Sequence, residues 1–181
     1  MAILALAGRR IDNATLPLPQ FPLGNIGIVR RRIESEFRRL QARILISSAA
    51  CGADLLALDV AGELGIARHV VLPFDQVRFR TSSVTDRPGT WGPLFDRVIA
   101  ELQTARRLIV LDLDPNDAAA YAVVNSRILD QAQAMSAAAS LPVIAMLVWE
   151  GESRGDGDLT EGFGREAELR GVPIVHVRSD K

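Results

Sequence analysis

The chain has 181 residues, of which 48% are apolar and 24% charged, with a formal net charge of -1. That balance excludes a disordered tail and a strongly basic partner for duplex nucleic acid, and the length suits one domain over residues 1–181 that buries roughly 70% of its unfolded surface. One cysteine excludes an internal disulfide and fits a reducing cytoplasm.

The first apolar run stops at Gly8-Arg9-Arg10, too short for a signal peptide or a membrane span. Within it, Ala2 to Ala7 reads as a strand buried on both faces, as in a parallel sheet. Gly8-Arg9-Arg10-Ile11-Asp12 follows, and a glycine with arginines after a first strand is what a ligand crevice at the carboxyl edge needs. Arg9 or Arg10 has the fork to pair bidentately with phosphate; the alternative for each is a solvated surface loop. Thr15–Pro22, with three prolines, is expected as a loop over the sheet edge. Gly24 to Gln41 forms the first helix, with Val29, Ile33, Phe37 and Leu40 in one stripe.

The densest signal comes next. Ile44-Leu45-Ile46 is a buried strand, Ser47 to Gly52 is a turn of small residues, and Asp54 to Leu64 is an apolar helix. A strand that turns through small residues into a helix aims unpaired N–H groups at whatever lies above the sheet, and these favour an anion. The plainer reading is that Gly52 permits a tight connection. Ser47-Ser48-Ala49-Ala50-Cys51-Gly52-Ala53-Asp54, with an Ala-rich helix and Gly65-Ile66 after it, resembles the Gly-Gly-Ala-x-Gly-x-Asp segment of the Smf/DNA-processing-protein A and Lonely-guy (SLOG) Rossmann-like superfamily. There the segment lines a site for a nucleotide or nucleotide derivative. Here Ser47 and Ser48 replace the usual glycine pair.

Arg68–Pro73 is a third strand, and Phe74 to Thr90 a long connection whose aromatics and arginines, Arg80 among them, suit either a base-and-phosphate lid or structural packing. Trp91 to Leu102 is a helix, Arg107–Leu113 a strand, Ala118 to Ser140 a long Ala-rich helix, and Leu141–Trp149 a buried strand. The glycine-rich run Trp149 to Thr160, with Gly155, Gly157 and Thr160, resembles a second loop of some SLOG-like proteins, although Asp158 and Leu159 replace a small pair. Phe163 to Leu169 is a short helix and Val172–Val177 the last strand.

The β-α alternation implies a Rossmann-like three-layer α/β/α fold with an essentially parallel sheet of about six strands. Its ligand is expected outside the carboxyl ends of the strands. The combined expectation for a nucleotide-like ligand is Gly8, Arg9, Arg10, Asp12, Ser47, Ser48, Ala49, Ala50, Gly52, Asp54, Arg80, Gly155, Gly157 and Thr160. No cofactor is specified.

Catalytic signals are sparse. His69 and His176 suggest no triad base, no His/Cys cluster suggests a metal, and Cys51 reads as a small filler in a crowded turn. Asp12, Asp54, Asp112 and Asp156 are carboxylates suited to general-base or ribose-hydroxyl roles, with no choice among them. The resemblance implies a nucleotide-binding sensor module. It also offers an N-glycosidic hydrolase of nucleoside monophosphates, but the Lonely-guy loop Pro-Gly-Gly-x-Gly-Thr-x-x-Glu is missing, and Gly157 to Glu161 is only its nearest counterpart. A scaffold with no ligand is the third reading. The apolar second helix and the Ala-rich helix suggest a homodimer. Arginine in place of lysine, with abundant alanine, suggests a GC-rich bacterial source.

Overall fold

The structure, a computed structural model, describes residues 1–13 and 18–180. The start of the proline-rich loop expected at Thr15–Pro22 lies outside the described residues.

Six strands form one parallel sheet: β1 (Ala2–Gly8), β2 (Ala42–Ser47), β3 (Ala67–Leu72), β4 (Leu108–Val110), β5 (Val143–Trp149) and β6 (Ile174–Arg178). Their spatial order is β4-β3-β2-β1-β5-β6. The chain winds outward from β1 to β4, then crosses back to place β5 on the other side of β1. The reversal between β1 and β5 is the switch point where open parallel sheets bind ligands. Side chains alternate across the sheet and split the core in two. Leu4 and Leu6 of β1 face one side, under α1 (Ile26–Arg39), α2 (Ala53–Glu63) and α4 (Trp91–Thr104). Ile3, Ala5 and Ala7 face the other, under α5 (Ala120–Ala139) and α6 (Leu159–Leu169). This is the three-layer, Rossmann-like arrangement that the alternation predicts.

Several boundaries differ from the sequence reading, each for a local reason. The Phe74–Thr90 connection contains α3 (Gln76–Ser83). Asp75 caps it by accepting from the Arg78 N–H, and Phe79 anchors it, fully buried against Phe95 at a centroid distance of 6.0 Å. Its Arg, Thr and Ser content hides the helix from a periodicity argument. The strand expected at Arg107–Leu113 shortens to Leu108–Val110 because Asp112 turns left-handed at φ 56°. Helix α6 begins at Leu159, ahead of the expected Phe163, since the Asp158 carboxylate accepts from the Thr160 and Glu161 N–H groups. Asp158 is the cap.

Helix α2 is buried on nearly every side, and α1 and α4 cover it within the same chain. The exposed apolar patch that motivates a dimer through α2 is therefore absent. Among the described residues no helix is long and apolar enough to cross a membrane.

Gly52, the N-cap of α2, has φ 98°, and a Cβ there would lie 2.7 Å from the Arg9 carbonyl oxygen and 2.8 Å from the Ile11 nitrogen. Gly65, which ends the same helix at φ 68°, has open space around it. Both positions disfavour a side chain, but only Gly52 sits against backbone. Gly65→Ala is expected to cost about 1–2 kcal/mol for the left-handed conformation, and Gly52→Ala about 3 kcal/mol or more once backbone overlap is added. Urea unfolding midpoints of the two variants check the difference.

Candidate functional site

The end of β1 is held from three directions. The Arg9 N–H donates to the Val148 carbonyl at 2.8 Å, and the Arg9 carbonyl accepts from the Ala53 N–H at 3.0 Å. The Arg9 side chain turns away from solvent and is 2% exposed. Its Nε and Nη2 grip Glu150 at 2.6 and 2.9 Å, while Nη1 and Nη2 grip Asp158 at 2.6 and 2.8 Å. Nη2 also reaches the Glu152 carbonyl at 2.9 Å, and the guanidinium lies 5.5 Å from the Trp149 ring. Burial alone would raise the Asp158 carboxyl. The Arg9 fork and the backbone N–H groups of Arg154 and Glu161 outweigh it and hold Asp158 far below the usual carboxylate range. Arg9 touches the cavity described below, but its donors are committed to the protein.

Outside the carboxyl end of β1, at the switch point, lies a cavity of about 290 Å³. Gly8, Arg9, Arg10 and Asp12 line it from the β1 loop; Ser48, Ala50 and Asp54 come from the β2–α2 turn, and Thr160 from the start of α6. Asp12 spends both carboxylate oxygens on its own loop, accepting from the Gln20 and Phe21 N–H groups at 3.0 Å each.

The other expected residues lie elsewhere. Ser47, Ala49 and Gly52 point into the protein: Ser47 and Ala49 are fully buried, and Gly52 abuts the Arg9–Ile11 backbone. Gly155 and Gly157 line a neighbouring cavity of about 520 Å³ between α5 and the β5–α6 loop. Arg80 pairs with Asp96 at 2.8 Å over a separate surface groove.

One wall escapes the sequence reading. Tyr121, Val124, Asn125 and Ile128 of α5 line the cavity opposite the turn, joined by Phe79 and Ser83 of α3. The Tyr121 and Ser83 hydroxyls meet at 2.8 Å and join α5 to α3. The spacing Tyr121, Val124, Ile128 is the available signal, but a helix that crosses a parallel sheet shows the same stripe whether or not its first turns overhang a cavity. Arg87 and Arg154 also line the cavity, each 3.7 Å from a carboxylate, Asp86 and Asp158 respectively.

Two polar atoms of the lining residues are out of contact with water and have no hydrogen-bond partner: Ser48 Oγ and Arg10 Nε. Native interiors rarely leave such groups unmatched. Asp54 is a third unusual group. Burial pushes its carboxyl up to about 7, against the opposing Ala50 N–H at 3.2 Å and the Arg10 charge. Cys51 is buried and its thiol is pushed up by burial, so it has the character of a filler and not of a nucleophile. His176 lies in β6 and accepts from the Trp149 indole at 2.9 Å, outside the cavity lining. Among the described residues no group of three His, Cys, Asp or Glu side chains is arranged to hold a metal ion.

No family model and no curated protein matches the chain. Among solved structures it is similar to DNA processing protein A from Streptococcus pneumoniae, with 18% identity and a TM-score of 0.35. The match covers 98% of this chain and 59% of that protein, so the chain spans somewhat over half its length. The fold assignment rests on the six parallel strands themselves.

Two predictions follow from the buried charges. Arg9→Met removes the buried cation shared by two carboxylates, leaving Asp158 only the more exposed Arg154, and is expected to cost about 3–5 kcal/mol, read as a fall in the urea midpoint at pH 7. Asp54 works in the opposite sense, because its folded pKa, about 7, exceeds its ordinary 3.8. Over that window the folded state binds more protons, so stability falls as pH rises, by as much as ~4 kcal/mol, and is flat above it. Asp54→Asn should remove that slope, seen as a Tm difference from wild type that grows from pH 4 to pH 7.5 in favour of the variant.

Proposed function

We propose that this cavity binds a nucleotide or nucleotide-derived ligand and that the protein, as a single domain, acts as a ligand-sensing module without turnover. The observation that carries the reading is the pair of buried, unpartnered donors, Ser48 Oγ and Arg10 Nε, on residues lining a cavity at the switch point. Leaving a buried polar group unmatched costs about 1–3 kcal/mol, and an acceptor-rich ligand group that draws these side chains toward the cavity recovers that cost. A phosphate supplies such acceptors and the negative charge that Arg10, Arg87 and Arg154 favour. The opposite wall of Tyr121, Val124 and Ile128 is apolar and suits a base. The lone cysteine fits a cytoplasmic setting.

A second reading has one specific observation in its favour. Asp54 is a carboxyl titrating near neutrality in the cavity lining, which is the property of a general acid or base. It supports hydrolysis of an N-glycosidic bond in a bound nucleoside monophosphate. Against it, Glu161, the nearest counterpart of the catalytic glutamate in the Lonely-guy loop, lines the neighbouring cavity. The Ser153 hydroxyl and then Arg165 lower its pKa. Binding is therefore preferred.

Thermal shift against nucleoside mono- and diphosphates tests the reading. A ligand at 100 times its Kd adds about 2.7 kcal/mol, or roughly 5–10 °C for a chain of this length. Ser48→Ala and Arg10→Ala should each reduce the shift, and no free base should appear in the wild-type mixture. Shifts unchanged in both variants, or none with any nucleotide, would contradict binding here. Free base lost in Asp54→Asn would promote the hydrolase reading.

A further inference from the structure

Arg10 is the residue of the cavity whose pairing is least complete. One terminal nitrogen of its guanidinium donates to Asp86, while Nε is buried without a partner. A carboxylate that faces an arginine squarely takes two of its nitrogens. Asp86 takes one, the guanidinium also interacts with the buried Cys51 thiol, and Nε is left unmatched. Both side chains remain partly open to solvent, Arg10 at 29% and Asp86 at 33%, a setting in which an ion pair is worth about 0.2–1 kcal/mol.

Asp86 stands on the segment between α3 and α4, residues 84–90, which is anchored at its ends and exposed in its middle. At one end Val84 is buried, its N–H donates to the Arg80 carbonyl, and Ser83 beside it accepts from the Cys51 N–H. At the other the Trp91 indole donates to the Pro88 carbonyl at 2.9 Å. Between them Thr85 and Asp86 are exposed. The Asp86 carboxylate can leave Arg10 without disturbing either anchor. Arg87, the next residue, lines the cavity, and its Nε lies 3.7 Å from the same carboxylate.

We propose that Asp86 is a built-in competitor for the site's anion: its carboxylate holds Arg10, and a ligand phosphate binds by taking its place. The inference rests on the nucleotide-binding reading and adds its regulation. The phosphate wins because it carries more charge and more acceptor oxygens than a carboxylate. Displacing Asp86 changes the contacts of the exposed stretch between these anchors, which makes that stretch the element that reports occupancy.

Calorimetric titration with adenosine monophosphate tests this on wild type, Asp86→Asn and Asp86→Glu, with adenosine as the phosphate-free control. Removing the competitor is expected to tighten adenosine monophosphate binding about two- to fivefold, the equivalent of the pair's worth. Asp86→Glu should keep wild-type affinity, and adenosine should bind wild type and Asp86→Asn equally. In an Arg10→Ala background the Asp86→Asn gain should vanish. Unchanged or weaker binding by Asp86→Asn overturns the competitor role alone, and weaker binding would make Asp86 a positioning residue for Arg10. Failure of every variant to bind adenosine monophosphate overturns this inference together with the reading beneath it.

Discussion

A guanidinium cut off from water must be fully paired, and Arg9 meets that demand by binding two carboxylates from the far side of the switch point. Glu150 follows β5 and Asp158 caps α6, so one buried side chain fixes the ends of two adjacent strands and the start of a helix. Arg154, whose Nε lies 3.7 Å from Asp158, brings a second cation to the cluster. The Thr160, Glu161 and Arg154 N–H groups also stabilise Asp158, since a carboxylate at a helix N-terminus faces the positive end of the dipole. The loop after β1 is therefore held in place, and with it the side of the cavity that it forms.

The small residues around it serve a different purpose from the one first suggested by their pattern. Gly8 has the Ala53 Cβ and the Val148 carbonyl where its own Cβ would be, and Gly52 has the Arg9–Ile11 backbone. Close approach of backbone to backbone uses these glycines, so they bring the β1 loop down onto α2. Their neighbours line the cavity: Ser48, Ala50 and Asp54 from the turn, and Arg10 from the loop. A tight connection and a cavity wall share the β1 loop and the β2–α2 turn.

The parallel sheet and its carboxyl-edge crevice are legible from sequence because apolar strands, small-residue turns and helical stripes alternate without interruption. Side-chain direction within a turn is not, which is why Ser47 and Ser48 look alike in the sequence and part company in space. Long-range pairing is equally hidden. Nothing adjacent to Arg9 indicates that its partners stand more than 140 positions away, so a buried structural arginine reads as a phosphate ligand. The α5 wall is missed because core-facing and cavity-facing turns of one helix carry the same apolar spacing. Asp54 is recognisable as a carboxylate at a helix start, but its elevated pKa comes from tertiary burial that no local pattern encodes.

Whether this cavity is where the protein meets its ligand is the central claim, and amide chemical shifts under nucleotide titration test it most directly. The account predicts saturable shifts concentrated at Arg9–Asp12, Ser48–Ala50 and the first turns of α5 around Tyr121 and Asn125. Shifts confined to the Gln76–Gln103 groove between α3 and α4, or spread without saturation over the surface, would contradict it.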